Sequence, residues 1–206
     1  AALCSPDFLF LTEAPGALSD HAVASRLAYF LWRSAPDDVL RAAADKGELR
    51  KPGVLSRETE RLLASPRAKA FVTDFLDQWL RLRDIDATTP DKLLFPECFE
   101  SVNDGTPDGL LRESILAETR LFFTDLLQSN GSLLQLIDSD FTYLNNRLAD
   151  FYGLPAVNGT AMRRVTLPEN SVRGGVLTQS SVMKVTSNGA ITSPVLRGAW
   201  LLDNII

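Results

Sequence analysis

Residues 106–128 read TPDGLLRESILAETRLFFTDLLQ, and this stretch decides the fold. At about 100° per residue, Leu111, Ile115, Phe122 and Leu126 fall on one side, away from Glu113, Arg120 and Thr124. The spacing predicts a long amphipathic helix to about Gln128, started by Thr106-Pro107. Two carboxylates break the pattern. Glu118 and Asp125 fall inside the apolar arc, where a charge needs a partner. Arg26 and Arg33 share the same seven-residue spacing on the border of an upstream apolar face. A buried ionic brace of Arg26 and Arg33 with Glu118 and Asp125 is therefore expected, as a packing device ahead of a catalytic one.

Upstream the pattern stays helical. Ser19-Asp20 opens a helix to about Arg33, with Val23, Leu27, Phe30 and Leu31 as its apolar face. Ser34-Ala35-Pro36-Asp37 restarts the chain as a second helix, ended by Gly47, and a third runs from about Val54 to Ala64. Ser65-Pro66 starts a fourth, where Phe71, Phe75 and Trp79 repeat beside Val72, Leu76 and Leu80. Residues 84–106 hold two prolines, Pro90 and Pro96, and read as a long connection. Downstream, Asn130-Gly131 breaks the long helix. A helical turn at Leu133–Ile137 follows, then a helix from about Asn145 to Tyr152 closed by Gly153. Arg163–Leu167 reads as extended, Val176–Val185 fits helix or strand, and Ser193-Pro194 begins a last helix. The expected fold is mainly α: a multi-helix bundle with a smaller loop-rich C-terminal part containing short extended segments. Its expected divisions are 1–105, 106–160 and 161–206.

Composition limits the function classes. The 206 residues are 45% hydrophobic and 23% charged, the balance of an ordinary folded protein, so disorder is excluded. A net charge of −5 without a basic cluster argues against nucleic acid as partner. No run of 18 apolar residues is present to span a bilayer, and no signal peptide is visible. The apolar ends, Ala1-Ala2-Leu3-Cys4 and Leu201–Ile206, read as cuts from a longer polypeptide. Cys4 and Cys98 are expected to be buried free thiols rather than a disulfide.

One histidine, His21, is too little for a His-based metal site, a Ser-His-Asp triad or a Cys-His dyad, and no metal site is expected. Met162 or Met183 offers a thioether that could ligate the haem of a neighbouring domain, but the apolar surroundings of Met183 favour a core position. The ligand-binding candidates lie near the C-terminus. Thr186-Ser187-Asn188, Thr192-Ser193 and Arg197 pack hydroxyls, an amide and a guanidinium around turn residues. Arg173-Gly174-Gly175 offers either an anion-binding nest or a tight turn.

Several phrases carry a resemblance: residues 27–32 (LAYFLW), 35–38 (APDD), 94–97 (LFPE), 140–145 (DFTYLN), 151–155 (FYGLP), 173–179 (RGGVLTQ) and the Thr186–Trp200 stretch. Together they resemble adjacent domains of unknown function in large planctomycete proteins that also carry cytochrome-c-type domains. The resemblance implies haem c elsewhere in the parent polypeptide, none in this chain, and other domains of that polypeptide as partners. It also implies export to the periplasm or cell surface. It supplies no catalytic residues. His21 and Cys98 depart from the pattern. The function this implies is an accessory helical module that positions an electron-transfer domain, a partner or a substrate. The competing classes are an oxidoreductase component sharing its pocket with a haem domain, and a carbohydrate- or surface-binding module that would need Trp32 and Trp200 exposed.

Overall fold

Ser19 starts the first helix as its sequence predicts: its hydroxyl accepts from the Ala22 N–H at 3.1 Å, and α1 runs Asp20–Trp32. The computed structural model describes residues 4–6, 10 and 15–206. Ala1, Ala2 and Leu3, part of the apolar N-terminal end, lie outside the described residues. Contacts divide the chain between Phe71 and Val72 into two units, whereas the sequence pattern put its divisions after residues 105 and 160.

In the first unit, α2 (Asp38–Asp45) and α3 (Val54–Leu63) join α1. The core is Ala24, Ala28, Leu31 and Trp32 of α1 with Leu40, Ala44, Leu49 and Leu62. This corrects the predicted face: Phe30 is largely exposed, and Val23 and Leu27 are only half-buried. Small alanines let the backbone of α1 come close to its neighbours, and dense packing decides over side-chain size. Asp37 caps α2 through the Leu40 N–H at 2.9 Å and grips Arg61 of α3 with both oxygens, at 2.7 and 3.1 Å. Asp20, buried at the start of α1, accepts from the Leu49 N–H and the Arg50 guanidinium. His21 is exposed, beside Asp45.

The division falls within α4 (Lys69–Trp79), whose Val72 and Leu76, with the following Leu80, are buried in the second unit. The centre of that unit is α5 (Gly109–Ser129). Its cap is Asp108, which accepts from the Leu111 N–H at 2.8 Å. Thr106-Pro107 instead forms a strand, β2, antiparallel to β1 (Phe99–Ser101). β3 (Phe141–Leu144) pairs antiparallel with β4 (Arg163–Thr166), Phe141 facing Thr166 and Leu144 facing Arg163. Between them Asn145 caps α6 (Asn146–Tyr152), and Gly153 ends it with a left-handed backbone. A 3-10 turn at Val176–Thr178 leads to α7 (Ser180–Val185), and Ser193 caps α8 (Pro194–Asn204). Phe122 and Leu126 of α5 pack with Phe141 and Val176. Among the described residues 54% are helical, 3-10 turns included, with eight α-helices and two small antiparallel sheets, so the fold is mainly α.

Candidate functional site

The second unit contains a cavity of about 460 Å³, a size ordinary for a small-molecule site. Its floor is α5, through Leu111, Arg112 and Ile115. One wall is the connection from Ile85 to Cys98. A second wall is α7 with the hairpin that follows it and Arg197 of α8. Phe151 and Arg173 close the remaining side.

The two walls are tied together by main-chain contacts. The Asp91 N–H donates to the Gly189 carbonyl at 2.8 Å. Gly189 has φ +87°, and a Cβ there would lie 2.4 Å from the Thr89 oxygen, so only glycine lets the hairpin approach. Lys184 adds a second tie, donating to the carbonyls of Ile85 and of Thr88, the latter at 2.9 Å. Burial pulls the Lys184 ammonium below the ordinary lysine range, while the Asp86 charge pulls it back up.

Three cations on the cavity have no carboxylate partner among the described residues. Arg173 lays its guanidinium over the Tyr152 ring at 3.5 Å and donates to the Thr178 carbonyl at 2.9 Å. Arg197 donates to Thr192 at 2.6 Å and to Thr186 at 3.3 Å. Lys184 hydrogen-bonds only carbonyls; the Asp86 charge that acts on it is itself paired with Arg112. By contrast Arg112 pairs with Asp86, and Asp108 pairs with Arg147 of α6 at 2.5 Å. Glu97, exposed at the rim, is the remaining carboxylate of the lining.

Behind the Arg173 side lies a buried polar chain. Glu118 is 1% exposed. Thr142 donates to one of its oxygens at 2.6 Å and Tyr152 to the other at 2.5 Å. The Tyr152 oxygen in turn accepts from the N–H of Ser180, a cavity residue, at 2.9 Å. Burial pushes the Glu118 carboxyl up to about 7, against the two hydroxyl donors and the Arg173 charge, which favour ionisation. Burial also pushes the Tyr152 phenol well above its ordinary range. The chain therefore holds a proton near neutrality next to the cavity.

The structure brings together part of the predicted site. Arg173, Ser187, Thr192 and Arg197 line the cavity. Thr186 is buried and orients Arg197, while Ser193 only caps α8. Asn188 accepts from the N–H groups of Ala190 and Ile191 and makes the hairpin turn. Gly174 engages its N–H with the Thr178 hydroxyl, and a Cβ there would meet the Ser139 oxygen at 2.8 Å. At Gly175 a Cβ would lie 2.5 Å from the Leu136 and Ile137 oxygens, so this glycine pair serves close chain approach. Arg26 and Arg33 belong to the first unit and the two carboxylates of α5 to the second, where each carboxylate has partners of its own. Glu118 has its hydroxyls, and half-buried Asp125 pairs with Arg164 of β4 at 3.0 Å.

Other expectations change too. Met183 is 38% exposed on the cavity rather than in the core. Cys4 and Cys98 are free as expected, but Cys4 is exposed and Cys98 half-buried on the cavity, where burial pushes its thiol up. Trp32 and Trp200 are buried and Trp79 half-buried, so no row of exposed indoles is available for a sugar. Sequence reasoning missed Lys184 and the Ile85–Cys98 wall. The available signal was the length of that connection, since long loops inside compact units are commonly functional.

No helix among the described residues is long and apolar enough to cross a membrane. In comparison with known proteins, the family described as "Protein of unknown function (DUF1592)", PSD4, matches residues 18–154. No curated protein and no solved structure matches the chain.

Proposed function

The chain belongs to the DUF1592 family of proteins of unknown function, and from that premise we propose that it is an accessory module of a larger exported protein. In this reading it holds a small substrate, or a group of a partner domain, for a cytochrome-c-type domain of the same polypeptide. The observation that carries the holding role is the cavity of about 460 Å³ with Arg173, Lys184 and Arg197 on its lining and no carboxylate paired to them among the described residues. Cationic side chains fixed beside apolar walls orient a ligand at little entropic cost. The cytochrome link and export rest on the sequence resemblance alone. Purification of the intact parent tests them: a c-type haem spectrum and a co-purifying small molecule are expected. A parent without haem overturns the link.

A catalytic role is the second reading, and the Glu118–Tyr152–Ser180 chain favours it. A carboxyl titrating near 7 and hydrogen-bonded to a phenol is suited to proton transfer. Tyr152→Phe strands the Ser180 N–H and one Glu118 oxygen and so should lower the melting temperature; in a parent still folded at the assay temperature turnover should be lost, and full turnover in that variant removes the reading.

A further inference from the structure

The lining of the cavity is divided between charge and grease, and the division identifies a ligand class. Resting on the holding role proposed above, we infer that the cavity is a binding site for a small organic carboxylate with an apolar body. Its charged end meets Arg173, Lys184 and Arg197, and its body lies against Leu111, Ile115 and Phe151.

A guanidinium offers five N–H groups and an ammonium three. Arg173 engages one side-chain N–H with the Thr178 carbonyl. Arg197 engages two, with Thr186 and Thr192. Lys184 engages two, with Ile85 and Thr88. Each cation is thus held in place by neutral oxygens and keeps N–H groups that no described residue accepts. Neutral oxygens position a cation without cancelling its charge. The same cavity shows what a cancelled cation looks like: Arg112 is gripped by both oxygens of Asp86. The three open cations outnumber the one unpaired carboxylate of the lining, Glu97, so the cavity field favours an anion.

The walls exclude a bare inorganic ion as the best occupant. Ile85, Leu111 and Ile115 are almost fully buried beneath the cavity, and Phe95, Phe151 and Ile191 complete an apolar lining. Phe95, Phe151 and Ile191 still expose apolar surface there, and an apolar body removes that part from water, which an inorganic ion does not do. Planar two-oxygen geometry matches a guanidinium fork, and Arg173 and Arg197 supply two forks.

The test uses the 206-residue chain and ligand-observed NMR with isothermal titration. The probes are benzoate, phenylpropanoate and hexanoate, each beside its primary amide, with inorganic phosphate as a further arm. The acids are expected to bind about tenfold or more tightly than their amides, since a charge-assisted hydrogen bond is worth about 1.4 kcal/mol or more. Arg197→Gln and, separately, Lys184→Gln should each cut the preference for acid over amide by about tenfold. Melting curves of both variants identify a folded protein, and two independent positions guard against one failing to fold. Acids and amides binding equally would overturn the carboxylate class while leaving a ligand-holding cavity. Phosphate binding as tightly as the acids would also overturn it, in favour of a site for the ion itself. No binding by any probe at millimolar concentration would overturn both this inference and the holding role.

Discussion

Replacing Glu118 with Gln isolates the energetic consequence of burying a carboxyl without a paired cation. In the native chain the carboxyl titrates at about 7, against 4.5 for an ordinary glutamate. The folded state therefore binds its proton more tightly than the unfolded state does. Below about pH 4.5 both states are protonated and the group is neutral in its effect. As pH rises from there to about 7, stability falls, and above 7 the loss is constant. The difference of roughly 2.5 units, at 1.36 kcal/mol each, makes the full loss about 3 kcal/mol. Gln mimics the protonated acid: its oxygen accepts from Thr142, and its amide nitrogen donates to the Tyr152 oxygen with the phenol proton turned away.

Glu118→Gln should accordingly stabilise the protein by about 1 kcal/mol near pH 5 and about 3 kcal/mol near pH 8.5. Urea denaturation followed by far-ultraviolet ellipticity measures both. Because the comparison is variant against native at each pH, the titration of every other carboxylate cancels. A gap that stays constant across this range would refute the reasoning, and so would a native chain that is the more stable at pH 8.5. Arg173→Gln supplies the converse. Removing the cation that favours ionised Glu118 should move the carboxyl titration to higher pH, read from its carbonyl carbon shift.

Three further outcomes follow from single contacts. Gly189→Ala forces a side chain into a left-handed backbone and against the Thr89 oxygen; a loss of about 1–3 kcal/mol and weaker binding of the acid probes are expected, read by melting and titration. Asp37→Ala removes the cap of α2 and the fork to Arg61, for about 1–3 kcal/mol in urea denaturation. The Arg61 hydrogen bonds and charge, with the Leu40 N–H, hold Asp37 below the ordinary carboxylate range against burial. Its contribution is therefore present above about pH 4 and fades as pH falls further, and the variant should lose that acid limb. Asn145→Asp keeps the cap to the Leu148 N–H but loses the amide donor to Ser114 and to the Thr160 carbonyl. A buried carboxylate facing that carbonyl should make it less stable than Asn145→Ala at neutral pH, and a denaturant series settles the order.

What the sequence made legible was what short-range chemistry encodes. Ser19, Asn145, Gly153 and Ser193 act within a few residues of themselves, and their caps and stops stand where the pattern put them. Thr106-Pro107 misled because Asp108 is an equally good cap two residues later, and pairing with Phe99–Ser101 drew the earlier dipeptide into a strand. The burial of Glu118 was readable from helical angle alone, but its partners were not. Opposite charge at matching spacing is a visible signal, whereas a hydroxyl 24 or 34 residues away has none. The same asymmetry explains the cavity. Arg173 and Arg197 declared themselves as cations among glycines and hydroxyls, while Lys184 became a site residue only through the carbonyls of Ile85 and Thr88. A proline-bearing connection that lacks its own regular structure must satisfy its carbonyls somewhere. Here a lysine almost a hundred residues later meets two of them, so the segment least readable as structure becomes the cavity wall against which that lysine is set.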